Sequence, residues 1–132
     1  MMDILCGLIS GREWEQVTVG LGGAGVLPEL TVILQGSWKS KERNSVRSTG
    51  YILDTLEAAL WAVETTGSFE DALIAAVNLG HDADTVGAVT GQIAGGRYGF
   101  EAIPQRWLDH LIGLSDIKER IEILWQRSPI SS

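Results

Sequence analysis

The chain is poor in cysteine, with Cys6 alone. A single cysteine excludes an internal disulfide and any cysteine-based zinc site. It reads as a free, buried thiol in a soluble cytoplasmic protein. Basic residues are scarce as well, 10 Lys and Arg against 17 Asp and Glu, for a net charge of −7. The longest basic cluster, Lys39-Ser40-Lys41-Glu42-Arg43, falls short of the patch a nucleic-acid binder shows, so nucleic acid is not expected as a partner. An acidic chain can still take an anionic nucleotide where a divalent cation or helix N-termini screen the charge. Long hydrophobic runs are missing too. The uncharged stretch from Gln16 to Pro28 is thirteen residues long and broken by glycines, too short to span a bilayer. Met1-Met2-Asp3 opens on an acid where a signal peptide would carry basic residues. No repeat or low-complexity tract occurs.

What is present is a globular composition. The 132 residues are 45% apolar with a mean hydropathy of +0.11, enough for one domain over residues 1–132 and too little for two. The apolar period is mostly helical. Ile52, Leu56, Ala59, Leu60 and Val63 predict one face of a helix from about Tyr51 to Glu64. Ser68-Phe69-Glu70-Asp71 resembles a capping box, followed on one face by Phe69, Leu73, Ala76 and Val77. A third helix is expected from about Asp84 to Tyr98. A fourth is expected from Pro104, with Trp107, Leu108 and Leu111 inward, and a fifth from Asp116, with Ile117, Ile121 and Leu124 as its stripe. Shorter helices are expected near Asp3 to Ser10 and Pro28 to Gln35. Gln16-Val17-Thr18-Val19 is strand-like, but nothing after Gly25 alternates as a strand. The fold class is all-α, a compact helical bundle or orthogonal array.

The third helix carries Gly87, Gly91 and Gly95 on one face, with Ala88 and Ala94 beside them. A glycine inside a helix costs about 1 kcal/mol against alanine, so three imply close approach of another backbone or a ligand. Two motifs bear on chemistry. Gly20-Leu21-Gly22-Gly23-Ala24-Gly25 matches the G-x-G-x-x-G dinucleotide pattern. The second strand of that unit is missing, because Ser37 to Thr49 is polar and basic, and the run reads as a flexible glycine loop. Gly80-His81-Asp82-Ala83-Asp84-Thr85 places two carboxylates and a hydroxyl within four residues at the start of the glycine-rich helix. Asp82 or Asp84 can cap the helix by accepting from free amides. The same oxygens also suit Mg²⁺ or a similar hard cation.

Gly50-Tyr51-Ile52-Leu53-Asp54-Thr55-Leu56-Glu57-Ala58-Ala59-Leu60-Trp61 resembles the ADP-ribosylglycohydrolase family. Ser68 to Leu73, Ala76 to Thr85, Gly91 to Gly95, Tyr98-Gly99 and Ile103 to Leu108 continue the likeness, in the order and spacing of the family's C-terminal part. The resemblance runs over residues 50–111 and is loose over 1–49. It implies an all-α fold, a pair of Mg²⁺ or Mn²⁺ ions, and hydrolysis of the bond joining ADP-ribose to a protein side chain or related acceptor. It implies that Asp82, Asp84 and Thr85 are metal ligands and that Gly50 and Tyr51 approach the nucleotide. On general grounds, a tyrosine at a helix start is more often a core or rim residue. His81 stands where the family commonly has glycine. It is expected to be exposed or a donor behind the ligands, because hard cations prefer oxygen.

The family's other ligands lie in a Thr-Asp-Asp run, with a nearby glutamate that handles the proton. No Thr-Asp-Asp occurs here, and the acids before residue 50 are Asp3, Glu13, Glu15, Glu29 and Glu42, none adjacent. The chain is also less than half the usual family length and resembles a truncated member carrying half of a dinuclear site. Three readings follow: a hydrolase completed by another chain, a non-catalytic domain that binds metal or ADP-ribose, and an oligomeric structural domain. An exposed face where the missing half would pack, together with Trp14, Trp38, Trp61, Trp107 and Trp125, predicts a homodimer or a complementing chain. The glycine-rich helix or its neighbours would be buried in that contact.

Overall fold

The computed structural model describes residues 1–19 and 27–128, so the glycine run Gly20 to Gly25 lies outside the described residues. The described residues are helical and contain no strand. They form α1 (Met2–Ile9), α2 (Trp14–Thr18), α3 (Pro28–Leu34), α4 (Ile52–Thr65), α5 (Phe69–Val77), α6 (Ala83–Tyr98), α7 (Gln105–Leu108) and α8 (Leu114–Gln126). Short 3-10 turns occupy Ser37–Ser40, Arg43–Ser45 and Phe100–Ala102. No helix among the described residues is long and apolar enough to cross a membrane. The chain divides into two compact units, Met1–Ala102 and Ile103–Ser132.

In the first unit α4, α5 and α6 pack against one another. Helix α1 lies against α6 and α2, and α3 lies against α4. Helix α4 is buried on almost every side, with Ala58, Ala59, Leu60, Ala62 and Val63 fully enclosed. The alanines and Leu60 at these positions keep helix propensity high, and the small alanines let neighbours close in. Ser68 caps α5, its Oγ accepting the Asp71 amide at 3.1 Å as its sequence suggests. Val86, Thr90, Ile93 and Ala94 of α6 complete the core.

The glycine face of α6 meets side chains. A Cβ built on Gly87 would stand 3.3 Å from Val77 Cγ2, one on Gly91 3.9 Å from Leu73 Cδ1, and one on Gly95 4.0 Å from Phe69 Cε2. Glycines four apart on α6 therefore face large residues four apart on α5. Among the described residues, the partner of this stripe is a row of side chains on α5.

Three tryptophans belong to the core. Trp14 and Trp38 have ring centroids 6.1 Å apart, and Trp61 donates to the Lys41 carbonyl at 2.9 Å. Arg97 lies 4.7 Å from the Trp14 ring and donates to the Val63 carbonyl at 2.8 Å, tying α6 to α2 and α4. These indoles are thus withdrawn from any association surface.

Several local expectations change. Val17 and Thr18 lie in α2 instead of a strand: Glu13 and Gln16 form a capping box that starts a helix there. Cys6 is exposed, because Ile4, Gly7 and Leu8 form the buried face of α1. Ile52 is 74% exposed at the first turn of α4, ahead of the packed part of that helix.

In the second unit, Pro104 is the N-cap of α7, one residue before the helix. Helix α7 is short. Leu108 is buried, Trp107 half-buried and Leu111 exposed, so the expected inward set is only partly enclosed. Helix α8 has no buried residue, and Ile117, Ile121 and Leu124 of its stripe are exposed.

Candidate functional site

Two segments far apart in sequence meet at the N-terminal ends of α4 and α6. The first is the loop Ser48-Thr49-Gly50-Tyr51. Thr49 pins it: its Oγ1 donates to Asp54 Oδ2 at 2.6 Å and accepts the Tyr51 amide at 3.2 Å. The buried Thr55 hydroxyl lies within bonding distance of both the Thr49 and Tyr51 carbonyls, at 3.3 and 3.2 Å. This is local hydroxyl chemistry that competes with the helical pattern upstream, so that α4 starts at Ile52.

The second segment is Gly80-His81-Asp82. Gly80 and His81 both have positive φ, at 78° and 53°. His81 is the only non-glycine among the described residues with such an angle. A side chain is strained in this region, so the backbone at this position favours glycine.

Ser48 joins the two segments. Its buried Oγ donates to the Gly80 carbonyl at 2.8 Å, and its own carbonyl accepts the Asp82 amide at 3.3 Å. Gly50 is thereby set against Asp82: a Cβ on Gly50 would stand 3.3 Å from Asp82 Oδ2. The structure brings Gly50 to the carboxylate cluster, while Tyr51 is 57% exposed at the rim.

Asp82 is the N-cap residue of α6, yet its side chain makes no capping bond to the helix backbone. Its Oδ1 instead accepts the Thr85 hydroxyl at 2.9 Å. Asp84 is exposed. The Thr85 amide, then a hydrogen bond with the Asp82 side chain, then its own amide hold its carboxyl below the ordinary 3.8. Asp84 is therefore an anion throughout the neutral range. Asp82, Asp84 and Thr85 present three hard oxygen donors on one turn, next to a helix N-terminus. This donor set fits part of the shell of a divalent cation. No group of three or more His, Cys, Asp or Glu residues suited to a metal occurs among the described residues. His81 is exposed beside the cluster.

Other residues near the site carried no clear signal in the sequence. Ser48, Thr49, Asp54 and Thr55 shape the loop, and their spacing is that of ordinary helix-start hydroxyls. Arg47 Nε lies 3.5 Å from Asp54 Oδ2. On the other side of the loop, an apolar cleft of about 640 Å³ is lined by Leu27, Leu30, Leu34, Ile52, Leu53 and Leu56, among others.

Comparison with known proteins supplies the frame for this geometry. Residues 7–130 match the model of a family described as ADP-ribosylglycohydrolase. The chain is 50% identical over 100 residues to an ADP-ribosylarginine hydrolase Tri1 of Serratia proteamaculans (strain 568), covering 76% of this chain and 27% of that protein. It is 42% identical over 121 residues to an ADP-ribosylarginine hydrolase Tri1 of Pseudomonas putida (strain GB-1), covering 92% of this chain and 32% of that protein. A solved structure titled ADP-ribosylglycohydrolase-related protein complex superposes with a TM-score of 0.74 at 38% identity, over 88% of this chain and 42% of that one. The chain thus spans about a third or less of the length of these two curated relatives.

Proposed function

The chain belongs to the ADP-ribosylglycohydrolase family, and from that premise we propose that it supplies one side of an ADP-ribosyl hydrolase site acting on ADP-ribosylated arginine. The acceptor is inferred from the names of the Serratia and Pseudomonas relatives. The observation that carries the reading is the contact of Gly50 with Asp82, made by the two bonds of Ser48. The two segments of strongest family likeness converge there, 32 residues apart in sequence.

In this reading Asp82, Asp84 and Thr85 hold Mg²⁺ or Mn²⁺. A bound divalent cation supplies positive charge that polarises water and ribose hydroxyls. The carboxylates of Asp84 and Asp82 provide the oxygens that hold it, and the Thr85 hydroxyl, donating to Asp82 Oδ1, orients that carboxylate. Gly50, having no Cβ, lets the loop come close to the Asp82 carboxylate, and Tyr51 forms a rim against the nucleotide. Three donors fall short of the six Mg²⁺ takes, so the remaining ligands and the proton-handling glutamate come from residues outside this set. The apolar cleft beside Ile52 suits a complementing polypeptide that brings them.

The test is release of ADP-ribose from an ADP-ribosylated arginine peptide in the presence of Mg²⁺. A mixture with a family chain bearing Thr-Asp-Asp is expected to release it, and to lose about 10²-fold or more when Asp82 and Asp84 are both alanine here. Release that ignores this double substitution would overturn the reading.

A second reading, an oligomeric domain without catalysis, is favoured by α8. That helix exposes Ile117, Ile121, Leu124 and Trp125. Light scattering at micromolar concentration separates the two: a homodimer dispersed by Ile121→Ser and Leu124→Ser supports it, and a monomer contradicts it.

A further inference from the structure

Beside the carboxylate cluster lies a groove of about 440 Å³, within the range of small-ligand sites. Its lining includes Arg43, Asn44, Val46, Arg47, Leu79 and His81, and holds no acidic residue. In a chain of net charge −7, this groove is lined by two arginines and no carboxylate.

The nearby lysines are otherwise engaged. Lys41 is paired to the buried Glu57 at 2.6 Å, and Lys39 lies over the Trp38 ring at 5.2 Å. The arginines are each held by one edge. Arg43 Nη2 donates to the Asn78 carbonyl at 2.7 Å. Arg47 Nε faces Asp54 Oδ2 at 3.5 Å, with most of the side chain exposed. A guanidinium has five N–H donors in a rigid fork, so each retains donors after these contacts. Forked donors on a groove wall match the oxygens of a phosphate better than a point charge does. Asn44 adds a neutral amide, and Val46 and Leu79 give apolar walls.

We propose that the Arg43–Arg47 groove is a phosphoryl-binding site that takes the phosphate groups of a nucleotide ligand. In naming that ligand as ADP-ribose, the inference rests on the reading of the preceding subsection. The phosphate affinity itself rests only on the groove. Acids near these residues are Asp54, which Arg47 already faces, Glu42, next to Arg43 in the chain, and Asp82, next to His81; none of them lines the groove.

The experiment is calorimetric titration of the full chain with inorganic pyrophosphate, and separately with ADP-ribose. The variants are Arg47→Gln, Arg43→Gln/Arg47→Gln, and Asp82→Ala/Asp84→Ala, with Arg120→Gln on α8 as a charge control. Arg47→Gln keeps the assay usable should loss of the Arg43–Asn78 bond unfold the double variant. Pyrophosphate affinity is expected to fall about tenfold in Arg47→Gln, and further in the double variant. It should hold in Arg120→Gln, and should not fall in Asp82→Ala/Asp84→Ala, which removes negative charge beside the groove. Pyrophosphate binding with these dependences but no binding of ADP-ribose would uphold the groove and sink the ADP-ribose reading. Absence of pyrophosphate binding at millimolar concentration, or an equal loss in Arg120→Gln, would overturn the groove.

Discussion

Helices α4 and α8 are nearly equal in length, 14 and 13 residues, and each carries apolar residues at helical spacing. Their surroundings are opposite. Helix α4 is sheathed by α5, α6, α3 and the Ser37–Ser40 turn, and eight of its residues are buried. Helix α8 has none buried, although Ile117, Ile121 and Leu124 form a regular stripe. An apolar period makes a helix amphipathic. It takes a second surface to turn that face into a core, and within its own unit α8 has no such cover. The candidate site belongs to the sheathed region: its two loops stand at the starts of α4 and α6, so the rigidity of that packing fixes the distance from Gly50 to Asp82.

The contrast can be broken by substitution. The largest effect is expected at Leu60, which is fully buried. Leu60→Ala should cost about 2–5 kcal/mol in denaturant unfolding. Ile121→Ala, on the exposed stripe, should change stability by no more than about 0.5 kcal/mol. Equal costs would show that α8 is enclosed in solution. Next is Gly7, where a Cβ would fall on the Val17 side chain between α1 and α2. Gly7→Ala should destabilise by about 1–3 kcal/mol through overpacking. The smallest effect has the opposite sign. At Gly91 a Cβ would meet Leu73 at ordinary contact distance, so Gly91→Ala should raise stability by up to about 1 kcal/mol from helix propensity. A loss at Gly91 would mean that α5 and α6 pack closer than 3.9 Å allows.

The helices that mattered most were legible in the chain. The spacing from Ile52 to Val63, the Ser68 cap and the run to Tyr98 are local signals, and α4, α5 and α6 follow them within a residue or two. The carboxylate cluster was legible as chemistry, from two acids and a threonine within four residues. Its meeting with Gly50 was not, because the link is one hydroxyl of Ser48 reaching a carbonyl 32 residues away, and a lone serine carries no pattern. Gln16 to Val19 looks strand-like because Val17, Thr18 and Val19 favour strands, while the Glu13–Gln16 capping box favours a helix and prevails through Thr18. Exposure at Cys6, Ile52, Leu111 and α8 was hidden for a common reason: burial depends on neighbours that no local period specifies.

The central proposal is that Asp82, Asp84 and Thr85, with Gly50 set against Asp82 through Ser48, hold part of the shell of a divalent cation. Its most direct test is calorimetric titration of Mn²⁺ into the wild-type chain and into Asp82→Ala/Asp84→Ala, with folding of both checked by circular dichroism. Weak binding by the wild type that vanishes in the double variant is the result the account predicts. No binding by the wild type at millimolar Mn²⁺, or binding that persists without the two carboxylates, would contradict it.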